Sequence, residues 1–298
     1  MTTPLLEEIV NAVLYEGYML YPYRASSQKN RRERFTFGRV YPKDYGESQQ
    51  GAEPCLKQTE CLLQALEKEP TVDVTVRFLQ PMWREVGSVS GDEGAAFAVA
   101  PELRVAGHLD PVWQEATERA VTVTLGPLRF FEPQQMRLPF SFPAHQTVEI
   151  LGDASSRAAI RRRQEAVMGA MEVEAEPLSS NIFKMSVRIL NHTPITAAQC
   201  EDQDAIIMRT FASTHTILQA AGGEFVSMMD PLPGLAEFVS QCKNIGTWPV
   251  LVGEEARSQR DTILSSPIIL YDYRKSPRKA SAPFSMERRL TKCSPCGS

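Results

Sequence analysis

The sharpest metal or redox spacing in this sequence is Cys293-Ser-Pro-Cys296. Two cysteines separated by two residues hold zinc when two further ligands are fixed nearby, and they exchange disulfides when they open a helix. Here the pair lies in a basic segment rich in Ser and Pro, and no second pair of ligands is close in the sequence. We therefore predict that neither Cys293 nor Cys296 binds a metal.

The other metal-binding and acid–base residue types are widely scattered. No helical or metal-ligand spacing relates the four histidines, which are His108, His145, His192 and His215. Cys55 and Cys61 would share a face of one strand, where core packing is the favoured role and a metal site is the alternative. The acidic row Glu172, Glu174 and Glu176 alternates along a strand, which is typical of a solvated face. We therefore expect no metal and no cofactor.

Motifs of the common enzyme classes are missing from the sequence. It contains no Walker loop, no G-x-G-x-x-G after a strand, no H-E-x-x-H and no G-x-S-x-G. This pattern favours a non-catalytic protein. An enzyme of unknown chemistry, with a site assembled from loops, is the alternative.

The best binding candidate is the stretch VLYEGYMLYPYRASSQKNRRERFTFG at residues 13–38, in which four tyrosines precede a basic run. Tyrosine offers a large amphipathic surface at low entropic cost, and arginine pairs with acidic groups on a partner. RNA stacking uses the same residue types. A structural alternative places half of the tyrosines in the core and the basic run in a solvated turn. The predicted partner-binding residues are Tyr15, Tyr18, Tyr21, Tyr23, Arg24, Lys29 and Arg31.

Hydrophobic periodicity predicts the elements that must position this stretch. Helices are expected over residues 4–15, 204–221 and 234–242. Elsewhere apolar and polar residues alternate with a period of two, and the runs 171–176 and 183–189 are predicted to pair as a hairpin with opposite charges across it. The fold class is therefore α+β and β-rich, with two sandwich-like antiparallel halves and a few helices, mostly in the second half.

Composition along the chain suggests four parts. Residues 1–151 are predicted to form an N-terminal β-rich domain, and residues 167–273 a C-terminal α+β domain. The polar, arginine-rich residues 152–166 between them are predicted to be a linker. Residues 274–298, rich in Ser, Pro, Lys and Arg, are expected to be a disordered tail, because they have too little apolar area to offset the entropy lost on ordering.

The formal net charge of −4 is distributed unevenly. Residues 274–298 contain seven basic residues and one acid, whereas residues 1–273 contain 25 basic and 35 acidic residues. An acidic body repels nucleic acid unless one face is segregated, so nucleic acid is a disfavoured partner. The apolar runs are shorter than a membrane span, and the N-terminus lacks the basic-then-apolar pattern of a signal peptide. The expected location is the cytoplasm, where the cysteines stay reduced.

Several phrases of the sequence resemble a bacterial protein family encoded in gene clusters of nickel–iron hydrogenases. They are VLYEGYMLYPYR, KNRRERFTFG, CLKQTECLL, VTVRFLQ, GGEFVSMMDP, NIGTWPVLVG and TILSSPIILYDY, and together the resemblance covers most of residues 1–273. The family has no established activity and no assigned catalytic residues. The resemblance therefore implies a hydrogenase context and transfers no site residue.

The resemblance stops after Asp272-Tyr273. The family continues Pro-Glu-Ile-Ala-Pro-Glu-Ser and later Phe-Asp-Gly-Thr-Glu-Ile-Asp-Glu. Codons can be chosen for residues 274–279 and 284–298 so that a single shift of reading frame recovers both family segments. One frame offset would explain the charge reversal, the low complexity and the isolated Cys-Ser-Pro-Cys together, so we expect residues 274–298 to be a frameshift product.

Residue chemistry and resemblance together predict a non-catalytic accessory or assembly protein associated with a nickel–iron hydrogenase. It would act through protein–protein contacts with hydrogenase subunits or maturation factors. The enzyme with a loop-built site and an RNA-binding module that uses the Tyr/Arg-rich stretch are the alternatives.

Overall fold

The computed structural model describes residues 7–11, 37–90, 96–100, 102–105, 108–111, 113–151, 158–253 and 259–272. The predicted tail at 274–298, with Cys293 and Cys296, lies outside these residues. None of the helices in the described part of the chain is long and apolar enough to cross a membrane.

Strands dominate the described residues. Their bounds are β1 Leu56–Ala65, β2 Thr71–Ser90, β3 Ala96–Ala100, β4 Glu102–Val105, β5 His108–Pro111, β6 Trp113–Leu125, β7 Gln134–Phe142, β8 His145–Ile150, β9 Ala158–Gln164, β10 Val167–Pro177, β11 Ile182–Asn191, β12 Ala212–Ala221, β13 Gly223–Phe225, β14 Trp248–Leu251 and β15 Thr262–Ser266.

The helices are short. Residues 7–11, inside the predicted first helix, are helical. The helices that follow are α1 Lys43–Ser48, α2 Ala197–Cys200, α3 Gln203–Ile207 and α4 Ala236–Ser240. The last of these lies within the helix predicted at 234–242.

Two large antiparallel sheets form the body of the protein. The first has five strands in the order β13-β1-β11-β10-β7. The second has eight, in the order β14-β15-β12-β2-β9-β8, with β3 and β6 also paired to β2. A separate hairpin joins β4 and β5. This architecture confirms the predicted β-rich fold with two antiparallel sheets and few helices.

Both sheets draw strands from both halves of the sequence. β1 pairs with β11 along its length, from Leu56 opposite Leu190 to Gln64 opposite Ile182. The long strand β2 pairs with β12 and with β9, so it joins the second sheet to strands far along the chain. The predicted N-terminal and C-terminal parts of the sequence therefore interleave in space.

The linker predicted at residues 152–166 is corrected by the structure, because residues 158–164 are the strand β9. Its arginines suggested a solvated linker, but they meet carboxylates from neighbouring strands. Arg161 pairs with Glu85 of β2 at 2.7 Å. Arg162 pairs with Glu115 of β6 at 2.9 Å and with Glu149 of β8 at 2.7 Å. The acids that make an arginine-rich strand possible are distant in sequence.

The helix predicted at residues 204–221 is also corrected. Only Gln203–Ile207 is helical, and the chain then extends as β12. β12 is buried on both faces, since Leu218 packs in the core between the sheets and Ile217 packs against Ile9 and Val10 on the outer side. A strand buried on both faces loses the period-two alternation that marks other strands.

The hairpin predicted from residues 171–176 and 183–189 is confirmed as β10 and β11. Glu172 lies opposite Arg188, and Glu176 lies opposite Lys184, whose Nζ is 2.7 Å from the carboxylate.

The core between the two sheets contains alternate residues of these strands together with a group of aromatic rings. The ring centroids of Phe78 and Phe211 are 4.5 Å apart.

Candidate functional site

The predicted partner-binding residues lie outside the described part of the chain, within residues 12–36. They are Tyr15, Tyr18, Tyr21, Tyr23, Arg24, Lys29 and Arg31. The structure does describe the chain on both sides of them. The two flanks therefore define where this segment leaves the fold and where it returns.

The N-terminal flank is the helical turn at residues 7–11, which is held on the outer face of the second sheet. Ile9 and Val10 are buried there with Ile217 of β12 and with residues of β14 and β15. Arg77 of β2 fixes the same turn, because its guanidinium is 3.0 Å from Oε2 of Glu7 and donates to Oδ1 of Asn11 at 3.2 Å.

The C-terminal flank is the short segment 37–40, which we call the strap. Its carbonyl oxygens on Phe37 and Gly38 accept hydrogen bonds from the backbone N–H groups of Ser213 and Thr214, at 2.8 and 3.1 Å. Val40 donates to the Phe211 carbonyl at 2.8 Å. The strap thus pairs with the residues that open β12.

β12 is irregular where the strap meets it. The pairing of β12 with β2 shifts register between Ala212 and His215, as a β-bulge does. Ser213 has a φ of 50°, a left-handed conformation that costs a non-glycine residue free energy and persists only where its surroundings enforce it. Because His215 pairs with Arg77, the two flanks of residues 12–36 are held by adjoining strands, one by Arg77 of β2 and the other by the start of β12.

Lys57 of β1 lies beneath the strap and is almost fully buried. Its Nζ donates to the carbonyl oxygen of Thr214 at 2.8 Å. Burial lowers the pKa of the Lys57 ammonium to about 7, because a charged amine is poorly solvated in the interior. A Cβ on Gly38 would lie 3.1 Å from this Nζ and 2.5 Å from Cγ of Pro267, so the strap fits closely over the amine.

His215 is the second buried titratable residue at this place, with 1% of its surface exposed. Its Nδ1 donates to the Ser213 carbonyl at 3.0 Å, and its Nε2 has no hydrogen-bond partner among the described residues. The pKa of the imidazole is lowered to about 4, chiefly by burial. The hydrogen bond to Ser213 opposes this shift, and the charges of Arg77 and Lys57 add to it. Near pH 7 the imidazole is therefore neutral, whereas the Lys57 amine is close to half protonated.

We call Gly38, Lys57, Ser213, Thr214 and His215 the bulge cluster. Nearby hydroxyl groups form hydrogen bonds with one another. Thr59 Oγ1 donates to Ser265 Oγ at 2.8 Å, and Thr247 Oγ1 lies 2.7 Å from the same oxygen. A neutral amine can act as a nucleophile or base, but Lys57 is enclosed and bonded to backbone. The arrangement is suited to fixing the strap, and with it one end of residues 12–36.

The bulge cluster could have been suspected in part from the sequence. In CLKQTECLL, Lys57 shares a strand face with Cys61 and Leu63, which are apolar and buried. A lysine on such a face is an anomaly that indicates a special environment. The sequence predicts a helix at His215, whereas the structure places it on β12, so helical spacing does not identify its partners.

The acidic row and the cysteines form no metal site within the described ranges, where no three His, Cys, Asp or Glu side chains converge. Glu172 lies 3.6 Å from Arg137 and Glu176 pairs with Lys184, so these carboxylates belong to a charged sheet face. Cys61 is fully buried, and burial raises the pKa of its thiol. Burial also raises the pKa of Cys242 to about 11.

Comparison with protein-family models gives no match for this chain. Comparison with curated proteins gives no significant sequence match either.

Proposed function

We propose that the protein is a non-catalytic accessory or assembly protein that binds a protein partner through residues 12–36. The observation that carries the proposal is that the chain is anchored on both sides of this segment, by Arg77 of β2 on one side and by the strap at the start of β12 on the other. Anchoring both ends of a segment on adjoining strands reduces the conformational entropy that binding must overcome.

The chemistry of the segment supports a protein partner with an acidic surface. Its tyrosines supply amphipathic contact area, and Arg24, Lys29 and Arg31 supply cations that pair with carboxylates. The excess of acidic over basic residues in 1–273 disfavours a polyanion such as RNA, since the body of the protein would repel it. The sequence resemblance suggests that the partner is a nickel–iron hydrogenase subunit or maturation factor, and that the protein works in the cytoplasm.

The test is co-purification from a bacterium that makes such a hydrogenase. Tagged protein should retain hydrogenase subunits, and changing Tyr18, Tyr21 and Arg24 together to alanine should reduce the retained amount about tenfold or more. The matched control changes three exposed residues elsewhere, Leu66, Phe131 and Arg129, to alanine and should leave retention unchanged.

Two further measurements separate the alternatives. Thermal melting of the triple variant should match that of the wild type, and a large loss of stability would mean that these tyrosines are core residues. Retention of RNA that falls steeply with added salt would instead favour the RNA-binding module. Failure of both variants and the wild type to retain any hydrogenase subunit would refute the proposed partner.

A further inference from the structure

The strand β8 is an edge of the eight-stranded sheet, and all six of its residues are exposed. Val148 and Ile150 are 44% and 58% exposed. Natural proteins commonly protect such edges with proline, lysine or a covering loop, because an open edge is a template for another strand. β8 contains neither proline nor lysine.

Two other edge strands carry such protection. Pro139 interrupts β7 at the edge of the five-stranded sheet, where it removes a backbone donor. In β14, Pro249 does the same, and the N–H of Leu251 donates to the Asp272 carboxylate at 2.8 Å. β8 therefore differs from both strands in keeping an uninterrupted row of backbone groups.

The direction of these groups follows from one hydrogen bond beyond the end of β8. Leu151 donates its backbone N–H to the Ala158 carbonyl at 2.8 Å, toward β9. Backbone groups of successive residues in an antiparallel strand point to alternate sides. Consequently the N–H and C=O groups of Gln146, Val148 and Ile150 point away from β9, to the side where no described strand pairs with β8.

The sequence of β8 is complementary to itself when two copies run antiparallel around Thr147. Thr147 then faces Thr147 of the other copy, and Gln146 faces Val148. His145 of each copy faces Glu149 of the other, so the imidazole can donate to a carboxylate at both ends of the pair. Cross-strand polar and opposite-charge pairs of this kind are favourable, and like charges directly opposite are avoided.

We propose that β8 is a homodimerisation edge, at which a second copy of this chain pairs antiparallel and extends the eight-stranded sheet. The two-fold arrangement forms about four backbone hydrogen bonds between Gln146 and Val148 of the two copies. Because a six-residue edge buries less area than a standard interface, the dissociation constant should be on the order of 10–100 μM. This proposal does not depend on the partner proposed for residues 12–36.

Sedimentation velocity of the full chain over a concentration series tests the dimer. Wild-type protein should move from monomer to dimer as its concentration passes the dissociation constant. Val148→Pro removes one outward-facing N–H and should weaken the dimer at least tenfold. Val148→Ala keeps that N–H, so its dissociation constant should rise less than that of the proline variant.

A side-chain variant keeps the test decisive if proline disturbs the monomer. His145→Glu changes an exposed residue and places two carboxylates opposite each other at both ends of the pair, so it should also weaken the dimer. Thermal melting should show both variants folded. A chain that stays monomeric up to about 200 μM, beyond the range expected for so small an interface, would overturn the proposal. So would a dimer that neither Val148→Pro nor His145→Glu weakens.

Discussion

The buried amine of Lys57 makes the free energy of unfolding of this protein depend on pH. Among the described residues its hydrogen-bond acceptor is the Thr214 carbonyl, and burial alone accounts for its lowered pKa. The unfolded chain holds the Lys57 proton up to a pH near 10.5, whereas the folded chain releases it near pH 7. Between these values the unfolded state binds more protons, so the contribution of Lys57 to the free energy of unfolding rises with pH.

Lys57→Met should remove this pH dependence. From pH 7.5 to pH 10 the free energy of unfolding of the wild type should increase by about 2–3 kcal/mol more than that of the variant. Urea denaturation at the two pH values measures the difference. Lys43→Met, which changes a solvent-exposed lysine, is the control and should behave as the wild type. If the free energy of unfolding rises equally with pH in the wild type and in Lys57→Met, then Lys57 is not the group responsible for the rise.

The sequence identified residue types better than residue environments. Buried Cys61 was expected from packing, and the solvated row from Glu172 to Glu176 from its alternation. The environment of Lys57 could not be predicted, because it is created by Thr214 and Gly38, which lie on other elements. A burial-driven pKa depends on three-dimensional neighbours that no local pattern encodes.

At the scale of elements, the strap depends on one glycine. Gly38 has a φ of +57°, and an added Cβ would lie 2.5 Å from Pro267 Cγ. Gly51 also has a positive φ, of +78°, but it has no atom within 4 Å of an added Cβ. Comparing the two positions therefore separates the cost of backbone conformation from the cost of crowding.

Gly38→Ala should lower the free energy of unfolding by about 2–4 kcal/mol, since it combines left-handed strain with a steric clash. Gly51→Ala should cost only about 1 kcal/mol, from the backbone conformation alone. Chemical denaturation of both variants measures the contrast. If the two substitutions lower the free energy of unfolding equally, the strap does not pack closely over Lys57.

Element prediction worked where a strand has one solvated face and failed where it has none. The β10–β11 hairpin was found because Glu172 and Glu176 alternate with core residues and meet cations across the strand pair. The pattern of β12 predicts a helix instead, because burial on both faces hides its period of two. The sequence of β9 predicts a linker, because the acids that neutralise Arg161 and Arg162 lie on three other strands.

At the scale of the whole molecule, the interleaved strands predict that neither half folds alone. Fragments 1–151 and 158–298 would each lose the partners of a central strand, since β1 needs β11 and β2 needs β9 and β12. Each purified fragment should show poorly dispersed amide resonances in two-dimensional NMR, as unfolded chains do. The two fragments expressed together should show well-dispersed amide resonances. A well-dispersed spectrum from either fragment alone would show that it is an independent domain.

The interleaved strands also delay strand pairing while the chain is being synthesised on the ribosome. β1 leaves the exit tunnel early, but its partner β11 is not translated until residue 191. At about 5–20 residues per second, the apolar residues of β1 wait roughly 6–25 seconds for their pairing strand. During that time Leu62 and Leu63, fully buried in the finished fold, are exposed on the nascent chain. A trigger-type chaperone that shields apolar segments during synthesis should therefore matter more for this protein than for one whose strands pair with their sequence neighbours.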